Sequence, residues 1–132
     1  MTSASPETIH VAQAAFQDFS HGLSTGEWSH FLACLSDDFT FWFPAGPFKG
    51  LNSGKDRAAD FFATVVKVFP EGLTLTLDRT LSSDNTVLFE VRSKGLMLGH
   101  PYENQAAISF DVAGDKICGY REYLGVIFQL GE

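Results

Sequence analysis

Apolar residues recur at helical spacing along the first half of the chain and alternate with polar ones along the second. Between Pro6 and Leu23, the residues Ile9, Ala12, Phe16, Phe19 and Leu23 fall on one side of a helix, and Ser5 stands before Pro6 as an N-cap stands before a first helical residue. Gly22 and Gly26 bracket its end. Trp28, Phe31, Leu32 and Leu35 predict a second, short helix closed by Ser36-Asp37-Asp38. The run Phe39-Thr40-Phe41-Trp42-Phe43 then alternates as a strand until Pro44. Asn52 or Ser53 is placed to cap a third helix, in which Phe61, Phe62, Val65, Val66 and Phe69 form one stripe that Pro70-Glu71-Gly72 ends.

Four strands are predicted next, at 73–81, 86–97, 102–112 and 116–128. Ser82-Ser83-Asp84-Asn85, Gly99-His100-Pro101 and Gly114-Asp115 separate them, and connections this short make antiparallel neighbours. In the first of these strands Leu73, Leu75, Leu77 and Leu81 take one face, and Thr74, Thr76, Asp78 and Thr80 the other. In the last, Ile117, Tyr120, Tyr123, Leu124, Val126, Ile127 and Phe128 read as apolar on both faces. Such a strand asks to be covered twice, once by the chain's own helices and once by a second subunit. Helices followed by a run of strands make an α+β domain.

Composition narrows the class of function. At 132 residues the chain is the length of one domain, taken as 1–132, and it needs neither disulfide nor metal to bury a core. Its net charge of −7 and the lack of a Lys/Arg patch argue against nucleic acid as a partner. The first ten residues, MTSASPETIH, carry neither a basic segment nor an apolar run, and no stretch approaches the ~20 residues that span a bilayer, so a soluble, cytoplasmic protein without membrane association is expected. Cys34 and Cys118 have no paired spacing and read as small buried hydrophobes. His10, His21, His30 and His100 lack metal-ligand spacing, and the glycines between 46 and 54 make no phosphate loop, so neither metal nor cofactor is expected.

The order of elements, with Gly26-Glu27-Trp28, CLSDDFTFWFPAG (34–46), Gly50, Gly54-Lys55, Phe69-Pro70, Gly99-x-Pro101-Tyr102-x-Asn104, Asp115-Lys116-Ile117 and Arg121-Glu122-Tyr123, resembles the NTF2-like superfamily and, within it, the SnoaL-like branch. The resemblance implies an α+β, NTF2-like (cystatin-like) cone: three N-terminal helices packed on a curved, mainly antiparallel sheet around a pocket. Its members include isomerases, cyclases, hydrolases, dehydratases and non-catalytic subunits, so function depends on the side chains that point inward.

Matched residue by residue, the base of ketosteroid isomerases falls on Phe43, their oxyanion tyrosine on Phe19, and their partner aspartic acid near Glu103. Phenylalanine neither takes nor gives a proton. The Arg and two Asp residues of limonene epoxide hydrolases fall on Val91, Ser93 and Glu122. The pocket glutamate of the phenazine-biosynthesis proteins falls on Glu122, while their helical His and Ser fall on Phe61 and Val65.

Glu122 is therefore the acid/base candidate, and a carboxylate among Phe and Val has its pKa raised by desolvation. In the other reading it lies on the outer face and pairs with Arg92 or another exposed arginine. Strand parity leaves both open, because apolar residues accompany Glu122 and Arg121 alike. Tyr102 and Asn104 share a strand face with Ala106, Ile108 and Phe110, where they would either bind a ligand oxygen or hold the Gly99 loop. Trp42, Phe19, Phe43, Phe61 and Val65 complete the expected ligand-binding set. Three functions follow as alternatives: cofactor-independent acid/base chemistry on a small hydrophobic compound, ligand binding without catalysis in a homodimer joined through the sheet, and a structural dimerisation module.

Overall fold

The computed structural model describes residues 3–125. Three helices, α1 (Pro6–Thr25), α2 (Ser29–Ala33) and α3 (Lys55–Val68), cover one face of a six-stranded sheet. Its strands are β1 (Leu35–Phe43), β2 (Gly50–Ser53), β3 (Leu73–Ser83), β4 (Thr86–Met97), β5 (His100–Ala113) and β6 (Lys116–Gly125), in the spatial order β2-β1-β6-β5-β4-β3. The α+β class and the antiparallel run β3 to β6 agree with the sequence pattern.

Helix α1 starts as its sequence predicts. The Ser5 hydroxyl accepts from the Thr8 amide at 3.1 Å, Pro6 occupies the first turn, and Gly26, at φ +82°, closes the helix by donating its N–H to the Gly22 carbonyl at 2.8 Å. Ala12, Ala15, Phe16 and Phe19 form its buried stripe. The Phe19 ring lies at the centre of an aromatic cluster, 5.3–6.1 Å from the rings of Trp28, Phe31, Phe62, Phe110 and Tyr120. Much of the thirteen-phenylalanine content is spent here. The turn after α3 crosses the end of α1 so closely that a Cβ on Gly72 would stand 2.2 Å from the Ser24 carbonyl oxygen, and φ is +88° there, so only glycine fits.

Several local expectations are corrected. Ser36-Asp37-Asp38 belongs to β1, which begins at Leu35 rather than 39 and runs parallel to β6. Asn52 and Ser53 do not cap α3. They lie in β2, and the Asn52 amide instead ties the preceding turn by donating to the Phe48 and Gly50 carbonyls at 2.7 and 3.1 Å. Without a side-chain partner for its amides, α3 begins after Gly54. His100 and Pro101 join β5, and the turn falls on Leu98 and Gly99. Cys34 and Cys118 are free thiols, half-buried rather than buried.

Two bulges override simple strand parity. In β3, Leu77 pairs with Val91 but Arg79 pairs with Glu90, so Asp78 is an extra residue and Leu81 turns to the outer face, away from Leu73 and Leu75. In β6, Ile117 pairs with Val112 and Gly119 with Asp111, which leaves Cys118 as the extra residue. Ile117 and Tyr120 thereby face the helices together, so the bulge accounts for Ile117 in the pattern that read as apolar on both faces, while Tyr123 does turn to the outer face. Val126, Ile127 and Phe128 lie outside the described residues.

Candidate functional site

Strands β5 and β6 and helix α3 enclose a cavity of about 60 Å³ under the helices. Its walls include Phe19 from α1, Phe43 from β1 and Phe61 and Val65 from α3, and its polar groups come from Tyr102, Asn104, Tyr120 and Glu122. Seven of the eight expected site residues are thus neighbours. Trp42 is the exception. Since Phe41 and Phe43 point to the helices, Trp42 between them projects from the opposite face, where its ring lies 5.3 Å from Tyr123. Glu103, beside Asn104, is exposed for the same reason and does not reach the cavity.

Glu122 faces inward with Tyr120, two residues before it on the same face of β6, and stands opposite Ile108; the Cys118 bulge brings Ile117 onto that face as well. The Tyr120 hydroxyl donates to its Oε1. Burial raises the Glu122 pKa to about 7, and the hydrogen bond from Tyr120, which favours the ionised form, offsets only part of that rise. Burial first, then the neighbouring Glu122 charge, pushes the Tyr120 phenol well above its ordinary value, so Tyr120 keeps its proton and remains the donor. Glu122 thus has a pKa raised toward neutrality, and its second oxygen accepts no hydrogen bond from the described residues.

The other polar group is a chain across β4 and β5. Ser93 stands opposite Asn104 in the register and donates to its Oδ1 at 2.5 Å, and the Asn104 amide donates to the Tyr102 hydroxyl at 2.5 Å. Both Ser93 and Asn104 are buried. Burial raises the Tyr102 pKa, opposed by the Asn104 hydrogen bond and reinforced by the Glu122 charge. Ser93 did not stand out in the sequence as a site residue. Its signal was available in the alternation of β4, where it continues the inward set Val87, Phe89 and Val91 as a polar member.

Val91, Ser93 and Glu122, the positions matched to the Arg and two Asp residues of limonene epoxide hydrolases, all face inward, and neither Val91 nor Ser93 has an ionisable side chain. Three of the four arginines lie on the other face of the sheet, in the pairs Arg79 with Glu90, Arg92 with Asp78 and Arg121 with Asp111, and the fourth, Arg57 in α3, donates to Asn52 and to the Pro47 carbonyl. The alternative pairing of Glu122 with Arg92 is thereby excluded, since Arg92 binds Asp78 through contacts of 3.0–3.1 Å. Among the described residues, no three His, Cys, Asp or Glu side chains gather as metal ligands, and no helix is long and apolar enough to cross a membrane.

The family model of the SnoaL-like domain matches residues 16–120, which takes in the second half of α1, the helices α2 and α3, and every strand except the end of β6. The chain belongs to the SnoaL-like domain family. An NTF2-like protein from Anabaena variabilis ATCC 29413 is 54% identical over 96% of each chain, with a TM-score of 0.91. Two more distant structures share the SnoaL-like fold. An LEH-like epoxide hydrolase of M. tuberculosis is 19% identical, with 90% of this chain and 85% of that one covered and a TM-score of 0.71. A protein with a ketosteroid isomerase-like fold from Catenulispora acidiphila DSM 44928, in complex with trimethylamine, is 14% identical over 85% of each chain, with a TM-score of 0.73. No curated protein matches the chain.

Proposed function

We propose that this SnoaL-like protein carries out cofactor-independent acid/base chemistry on a small, largely apolar molecule, with Glu122 as the proton carrier and Tyr102 and Asn104 as orienting groups. The observation that carries the reading is the Glu122 carboxyl turned into a mainly apolar cavity beside Tyr120, Tyr102 and Asn104, where burial raises its pKa to about 7. A general acid or base works best when its pKa is near the working pH. Tyr120 fixes one oxygen of the carboxyl and leaves the other for the reacting proton.

The cavity's size supports a small occupant. A volume of about 60 Å³ suits a few non-hydrogen atoms, and the rings of Phe43 and Phe61, 4.8 Å apart, occupy the space a larger ligand would need. The trimethylamine bound to the Catenulispora protein is a molecule of that scale. A second reading, binding without turnover, is favoured by the apolar character of Phe19, Phe43, Phe61 and Val65.

Native mass spectrometry of the freshly purified protein identifies a retained molecule, and its turnover is then compared between the wild type and Glu122→Gln. Retained binding with lost turnover supports the first reading. Equal turnover removes Glu122 as the proton carrier, and binding without turnover in the wild type favours the second.

A homodimer joined through the outer face of the sheet is part of the same proposal. Leu51 and Tyr123 are 72% and 47% exposed there, with Trp42 between them, and the three Arg-carboxylate pairs leave the face nearly neutral on a chain of net charge −7. Two copies would meet on it without the repulsion that the rest of the surface would impose.

A further inference from the structure

The Ser93–Asn104–Tyr102 chain has a direction, and the direction decides what the cavity accepts. The Ser93 hydroxyl has one proton, which it gives to Asn104 Oδ1, so the amide turns its N–H group to the Tyr102 oxygen. A phenol oxygen that accepts this bond still owns its own O–H. Among the described residues that hydrogen has no acceptor, and the ring that carries it lines the cavity. The ring's position is set by Phe69, whose centroid lies 5.1 Å away at an edge-on angle of 61°. Backbone register holds the far end, because Ser93 and Asn104 are directly opposed on adjacent central strands.

We propose that Ser93, acting through Asn104, fixes Tyr102 as a hydrogen-bond donor to the cavity, so that the site selects a compact apolar molecule bearing an acceptor oxygen, such as a small ketone or cyclic ether. The proposal rests on the cavity being a ligand site and names the ligand's polar end. Ser93 is a positioning residue in it: it touches Asn104, not the ligand. Tyr102 supplies the donor and Glu122 stands beside the bound molecule with its free oxygen. An acceptor placed on Tyr102 satisfies a hydroxyl that is otherwise half-buried against phenylalanine, whereas a hydrocarbon of the same shape leaves it unsatisfied. That difference is worth about tenfold in affinity.

Acetone labelled with carbon-13 at the carbonyl is a probe of suitable size, and its carbonyl resonance moves downfield when the oxygen accepts a hydrogen bond. Titrated into the wild-type protein, it should show a saturable downfield shift. Tyr102→Phe should abolish that shift. Ser93→Ala should diminish it, because the amide is then free to rotate, and Ser93→Thr, which keeps the hydroxyl, should restore it. Asn104→Asp should remove it by turning the Tyr102 proton toward the new carboxylate. The shift is read without turnover, so it is present or absent whether or not Glu122 carries a proton in a reaction, which separates this proposal from the proton-carrier reading. A wild-type protein without a saturable shift overturns the proposal. So does a shift that survives in Tyr102→Phe, or one indifferent to both Ser93→Ala and Asn104→Asp; a relay running in the opposite sense would spend the Tyr102 proton on Asn104 and give no shift at all.

Discussion

Replacing Glu122 by glutamine removes an ionisation without changing shape, and its effect on stability can be worked out with a sign. In the unfolded chain the carboxyl titrates near its ordinary 4.5, whereas burial in the folded protein raises it to about 7. The folded state thus binds the proton more tightly, and its advantage is full below pH 4.5 and is lost as the pH rises to 7. Each pH unit between the two values corresponds to about 1.4 kcal/mol, so the wild type should lose about 3 kcal/mol relative to the variant between pH 4.5 and 8. Glutamine keeps an oxygen that can accept from Tyr120, so the two proteins should be close in stability at pH 5 and diverge above it, with Glu122→Gln the more stable at pH 8. Urea denaturation at a series of pH values measures this directly, and taking the difference cancels every group the two proteins share. Parallel stability curves across the range would refute the placement of Glu122 in an apolar site.

Phe61→Ala should open the cavity and cost about 3–5 kcal/mol, because the ring is buried between Phe41, Phe43, Phe48 and Phe62; denaturation measures the loss, and binding of a larger ketone tests the opening. Gly22→Ala should destabilise by about 1–3 kcal/mol even though alanine favours helix, since its Cβ would lie 2.5 Å from the Trp28 ring, and thermal unfolding should show a lowered Tm. Sedimentation should find a dimer that Tyr123→Asp splits without loss of the folded circular-dichroism spectrum, whereas a wild-type monomer at every concentration would remove the proposed interface.

The candidate site was more legible than its surroundings. Glu122, Tyr102, Asn104 and the four apolar wall residues could be named because each stands in a family-like position beside an alternating or helical pattern. Trp42 was misplaced for a simple reason: an aromatic residue in a strand between two buried phenylalanines looks like core, although the pleat sends it to the other side. Ser93 was named only as a position where relatives keep an acid and was left out of the site, because a serine in an alternating strand has no distinctive pattern until the residue across the ladder is known to be Asn104.

What the chain order of residues carried was local: the Ser5-Pro6 helix start, the Phe16 and Phe19 stripe, the alternation of β4 and β5, and the succession of helices before strands that makes an α+β domain. These depend on spacing within one element, which a linear pattern contains. Tertiary structure decided the rest. The parallel seam of β1 against β6 joins residues about eighty positions apart. The extra residues at Asp78 and Cys118 move Leu81 outward and bring Ile117 into phase with Tyr120 and Glu122. A side-chain period of two is unforgiving of one added residue, so the face on which Glu122 lies, and with it the acid/base reading, depends on how β6 pairs with its neighbours.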